Sequence, residues 1–70
     1  MSFKEYALDA LYAKAESDRL EALASLKILL EHPSGIGDHS TDDLHENLNT
    51  ALSKLADSED RIETLKRNFP

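Results

Sequence analysis

The sequence predicts an all-α fold: an antiparallel two-helix hairpin that forms a single domain over residues 1–70. Three observations predict this fold. Neither Gly nor Pro occurs at 3–31 or at 41–68, whereas both glycines and one of the two prolines fall between those stretches. The two stretches are almost equal in length, and apolar residues recur at a heptad spacing in both. Two helices of equal length joined by a short loop fold into a hairpin.

The first helix is expected to span about residues 3–31. Ser2 and Glu5 have the spacing of a capping box, in which each side chain bonds to the backbone of the other residue, so the helix should begin at Phe3. Pro33 should end it, because the residue before a proline is pushed out of the α region. At about 1.5 Å per residue this helix is roughly 44 Å long.

The interhelical loop is predicted at residues 32–40. Its turn is expected to depend on Pro33, Gly35, Gly37 and Asp38. The glycines can adopt positive φ at little cost, and the aspartate can accept hydrogen bonds from loop amides. A tight reversal of the chain is therefore expected here.

The second helix is expected to begin at residue 40 or 41 and to end at about residue 68. Asp42 and Asp43 lie in its first turn, where free amides and the helix dipole favour negative charge. Lys66 and Arg67 lie in its last turn, where positive charge is favourable. The predicted charge distribution matches the helix dipole at both ends.

Each helix carries a heptad seam that should face the other helix. Small residues should meet in the middle of the hairpin, with Ala22 near Ala51, so that the helices approach closely. Arg19 interrupts the seam and is expected to reach past the core to Glu59 or Asp60. The seam residues are Leu8, Tyr12, Ala15, Arg19, Ala22, Leu26 and Leu29 in the first helix, and Leu44, Leu48, Ala51, Leu55, Ser58, Ile62, Leu65 and Phe69 in the second.

The first helix also carries a second apolar stripe, nearly opposite its seam, which one hairpin cannot cover. We call it the outer stripe; its members are Phe3, Tyr6, Ala7, Ala10, Ala13, Leu20, Ala24 and Ile28. One interpretation is that an Ala-rich stripe tolerates water, because Ala is the best helix former. The other is that it binds a second copy, giving a four-helix bundle or larger homo-oligomer, or another partner. Phe3, Leu20 and Ile28 favour the second interpretation, because helix propensity alone does not require residues so large.

Composition narrows the classes of partner and compartment. The chain has no cysteine, so a disulfide cannot compensate for the small core of a 70-residue domain, and self-association remains as a source of stability. A net charge of -6 opposes binding to nucleic acid or anionic membranes. No apolar run approaches the roughly 20 residues that span a bilayer. These features predict a soluble, cytoplasmic protein.

The sequence gives only weak evidence for catalytic or metal-binding groups. His32, His39 and His45 cluster around the loop and could hold a metal ion, but their spacing matches no compact motif, and solvated histidines are the simpler interpretation. Gly35 and Gly37 precede a helix as in a phosphate loop, yet no strand or lysine accompanies them. A two-helix rod offers no water-excluding cavity. We therefore predict a non-enzymatic protein without a metal or cofactor.

Two segments resemble a known group of proteins. The loop sequence HPSGIGDH at residues 32–39 and the helical sequence LADSEDRIETL at 55–65 are similar to those of small helical-hairpin proteins of tailed bacteriophages, including cyanophages. The resemblance covers the loop and the second helix best. It implies a short helical hairpin and a phage source, hence the cytoplasm of a host cell, and it implies no activity and no catalytic residues.

Three functions are compatible with the sequence. The preferred one is a small, self-associating helical interaction protein that modulates a host or viral protein through a helix face. The second is an acidic decoy in which helix carboxylates imitate the phosphates of nucleic acid, although interspersed Lys and Arg residues argue against it. The third is a structural or scaffold component of a phage particle. Salt-sensitive competition with DNA for a basic protein would distinguish the decoy from an apolar interface.

Overall fold

The computed structural model describes residues 1–31 and 41–70. It contains two helices, α1 (Phe3–Glu31) and α2 (Thr41–Asn68), packed side by side in a rod of 49 × 18 × 15 Å. The predicted all-α hairpin is confirmed, and both helices lie at the predicted bounds. The predicted turn residues Pro33, Gly35, Gly37 and Asp38 lie outside the described residues.

Local hydrogen bonds fix the helix ends. The amide of Glu5 donates to Ser2 Oγ at 3.2 Å, which confirms Ser2 as the N-cap of α1. The Glu5 carboxylate accepts from the Ser2 hydroxyl at 3.4 Å, rather than from the Ser2 amide that a capping box requires. At the end of α2, Asn68 Nδ2 donates to the Thr64 carbonyl at 2.8 Å and satisfies one of the last acceptors.

The two seams face each other as predicted. In α2 every non-exposed residue with a described side chain belongs to the predicted seam, and all seven predicted seam residues of α1 are buried or half-buried. Ala22 and Ala51 line the same depression between the helices. Glu21 lies next to Ala22, and its carboxylate binds Lys54 Nζ of α2 at 3.2 Å, a contact that requires the antiparallel arrangement of the two seams. Phe69 is the exception, because it follows the end of α2 and is about half exposed.

Among the described residues the buried core consists mainly of small side chains: Ala15, Ala22, Ala51 and Ser58, with Leu29 as its one large residue. Small residues at the contact allow two helices to approach closely. The Ser58 hydroxyl is satisfied within α2, because it donates to the Leu55 carbonyl at 3.0 Å. A polar residue can therefore occupy the seam without an unpaired buried atom.

The prediction that Arg19 bonds to Glu59 or Asp60 is wrong. Its Nε donates to the Glu16 carboxylate at 3.1 Å, one turn earlier on α1. The Glu59 carboxylate of α2 attracts the Arg19 guanidinium electrostatically, without a hydrogen bond between them. Arg19 can reach a carboxylate three residues away on its own helix without extending its side chain across the seam, and it therefore pairs with Glu16.

Candidate interaction surface on the first helix

The outer stripe lies on the surface of the hairpin. Phe3 is 87% exposed, and Tyr6, Leu20 and Ile28 are each more than half exposed. The alanines of the stripe are exposed too, except for Ala7, which is half-buried. The seam buries the opposite side of α1 against α2, so a single chain leaves the outer stripe open to water, although Ile28 also lines a depression between the two helices.

The outer stripe follows the alternating spacing of three and four residues that characterises helix–helix contacts. Its members at positions 3, 6, 10, 13, 20 and 24 fit this spacing, and the exposed Ser17 fills the one gap. Sequence reasoning omitted Ser17 because it is polar. Small residues at four of these seven positions would let a second helix approach closely.

Charged side chains flank the outer stripe on both edges. Asp9 and Lys27 lie on one edge, 18 residues apart, which is about five helical turns. Lys14 and Glu21 lie on the other edge, one heptad apart. Asp9 and Lys27 are exposed, and their side chains form no hydrogen bond or ion pair with any residue that the structure describes.

The edge of the outer stripe that carries Lys14 and Glu21, here called the Lys14 edge, already forms ion pairs with residues of the same chain. Lys14 Nζ binds Asp18 at 2.8 Å, and this hydrogen bond lowers the pKa of the aspartate and raises that of the lysine. The Lys14 and Glu21 side chains remain mostly exposed, and both can accept a further partner. On the opposite edge, the hydrogen bond from Arg19 lowers the pKa of Glu16 and holds that carboxylate within its own chain.

Some exposed leucines lie outside the outer stripe. Leu30 of α1 and Leu52 of α2 are each more than half exposed, although each directly follows a buried seam residue. A step of one residue turns a side chain about 100° around the helix, which moves it off the contact. Leu52 is 55% exposed and Leu20 is 54% exposed, so the two leucines form a matched pair for mutagenesis.

Residues that the structure describes line at least two depressions between the helices. One, of about 420 Å³, is lined by hydroxyl, amide and aliphatic groups, and Lys54 is its only titratable side chain. The other is lined by charged residues, among them Glu16, Arg19 and Glu59. In the first depression Lys54 is bonded to Glu21, and in the second Arg19 is bonded to Glu16. Neither arrangement pairs a nucleophile with a base.

Metal-binding clusters and membrane spans are both absent from the part of the chain that the structure describes. Residues 1–31 and 41–70 contain no cluster of three or more His, Cys, Asp or Glu side chains that could hold a metal ion. His45 is exposed on α2, and the other two histidines lie outside the described residues. Neither helix in the described part is both long and apolar enough to cross a bilayer.

The chain matches no protein-family model, no curated protein and no solved structure. The phage source implied by the loop and second-helix sequences therefore stays a prediction.

Proposed function

We propose that this protein is a small, non-enzymatic helical interaction protein that self-associates through the outer stripe of α1. The observation that carries the proposal is the exposure of Phe3, Tyr6, Leu20 and Ile28 on one face of a hairpin. Contiguous exposed apolar surface of this kind is typical of protein-binding sites. The charged residues around it form the polar rim that such sites commonly have.

The thin core of the hairpin supports self-association. Among the described residues Leu29 is the only large side chain that is buried, and the other buried side chains are small. A domain of this size rarely buries enough apolar surface to be stable alone, and oligomerisation is a common remedy. Covering the outer stripe would bury several large side chains, each contributing about 1.5–3 kcal/mol when fully buried.

The same surface also fits the wider role predicted from the sequence. In a dissociated chain, the outer stripe offers anchors at helical spacing to an apolar groove of another protein. If the chain is of phage source, the groove would belong to a host or viral protein. The decoy function has less support, because the cations Lys54, Arg61 and Lys66 interrupt the carboxylates of α2.

Thiol labelling tests whether the outer stripe is covered in solution. The chain has no cysteine, so Ala13→Cys on the stripe and Ala56→Cys on the exposed side of α2 each introduce one thiol. We expect the thiol at position 13 to react at least about tenfold more slowly than that at position 56 at high micromolar concentration, and equally fast after dilution. Equal rates at every concentration would contradict the proposal.

A further inference from the structure

We propose that two copies pair antiparallel through their outer stripes, about a two-fold axis level with residue 18 of each α1. This inference rests on the proposed self-association and specifies its geometry. In an antiparallel pair with two-fold symmetry, each residue faces one that lies equally far on the other side of the axis. For every residue of α1, the residue that it would face in the partner copy can therefore be read from the sequence of α1 itself.

The charged edges fix the position of the axis. Two-fold symmetry places each edge of the outer stripe against the same edge of the partner copy. Asp9 then faces Lys27, and the midpoint of this pair is residue 18. Lys14 faces Glu21, and the midpoint of this pair lies between residues 17 and 18. The two midpoints agree within half a residue, or about 0.8 Å of helix rise, so one register forms both pairs. Glu16, which shares the Asp9 edge, is held by Arg19 of its own chain.

The apolar residues fit the same register by size. Leu20 faces Ser17, and Ala13 faces Ala24, about an axis between residues 18 and 19. The large Leu20 side chain thus lies against a small one, and the two alanines let the helices approach closely. On the Lys14 edge, Ile28 faces Ala7 about an axis between residues 17 and 18. Two apolar pairings, one leucine–serine pairing and two ionic pairings share one axis within a single residue.

A parallel pair fits the same surface poorly. Parallel two-fold symmetry places each edge of the outer stripe against the opposite edge of the partner copy. Asp9 and Lys27, which share one edge, could then not pair with each other, and neither could Lys14 and Glu21, which share the other. Because the outer stripe lies opposite the seam, the antiparallel pair also places the two α1 helices side by side at the centre of a four-helix row, with α2 on either flank.

Disulfide trapping tests the orientation and register. We expect a mixture of the Ala13→Cys and Ala24→Cys variants, oxidised gently, to form the mixed disulfide between positions 13 and 24. In this register positions 13 of the two copies are about 16 Å apart along the axis, beyond disulfide reach. Tryptic peptides identify the linked positions, because the two thiols fall in different peptides. Disulfides joining like positions would indicate a parallel pair and overturn the inference while leaving self-association intact.

Charge exchange gives a second measurement that does not depend on oxidation. Asp9→Lys and Lys27→Glu should each weaken self-association by about tenfold, because each puts like charges together at two symmetric places. The double variant should recover most of the affinity, since it restores opposite charges. Failure of recovery, with normal helicity, would contradict the register. A monomeric parent chain would instead contradict the proposed function itself.

Discussion

Replacing Leu20 and Ile28 together with Asp is expected to abolish self-association at micromolar concentration. Both side chains are more than half exposed in the single hairpin, so the change should cost the isolated chain little. In a symmetric pair it removes four large apolar contacts and places four carboxylates in the interface. We expect the dissociation constant to rise at least about 100-fold. Sedimentation velocity would measure the change.

The matched control is Leu52→Asp. Leu52 has the same exposure as Leu20 but lies on α2, outside the outer stripe. We expect this variant to associate like the parent chain, and a single Leu20→Asp change to weaken association clearly. Loss of association in Leu52→Asp with retention in Leu20→Asp would move the interface to another face of the hairpin.

Replacing Ala22 with Leu is expected to disrupt the hairpin itself. Ala22 is 1% exposed and lies at the contact with α2, where the neighbouring Ala51 is also buried. Three additional carbon atoms at this point force the helices apart, and overpacking of this kind typically costs about 1–3 kcal/mol. In a domain of this size, a loss of about 2 kcal/mol lowers the melting temperature by roughly 10 °C.

Ala56→Leu is the control for this variant, because Ala56 is exposed on the side of α2 away from α1. The substitution adds the same atoms where nothing opposes them, so we expect a melting temperature within a few degrees of the parent value. Circular dichroism followed with temperature at one fixed protein concentration compares the two variants. An Ala22→Leu chain as stable as Ala56→Leu would mean that the helices are not in close contact at Ala22.

The sequence alone was sufficient to predict the two helices and the faces through which they contact each other. Ser2 marks the start of the first helix, and the heptad spacing selects the seam of each helix, including the polar Ser58. These features are predictable because capping and helical periodicity act over a few residues. The outer stripe was also predictable from the sequence. The first helix has two apolar sides, and its partner in a two-helix hairpin can cover only one of them.

Spacing predicts the i,i+4 pair between Asp57 and Arg61, which the structure confirms, but it does not predict the partners of Arg19 and Lys54. Arg19 had acceptable carboxylates on both helices, and the competition between Glu16 and Glu59 depends on side-chain reach in the assembled hairpin. The bond between Glu21 and Lys54 depends on the relative rotation of the helices, which only the packed structure gives. For the same reason, Asp9 and Lys27 could be recognised as the edge of a surface only after the seam was known to face α2.

Sedimentation equilibrium of the unmodified chain tests the central claim most directly. The mass of one chain is 7.8 kDa. We predict an average mass at tens of micromolar that approaches or exceeds twice this value and that falls toward the single-chain mass on dilution, because an exposed apolar face on so small a core favours association. A mass of one chain throughout the concentration range, with helicity intact, would contradict the account.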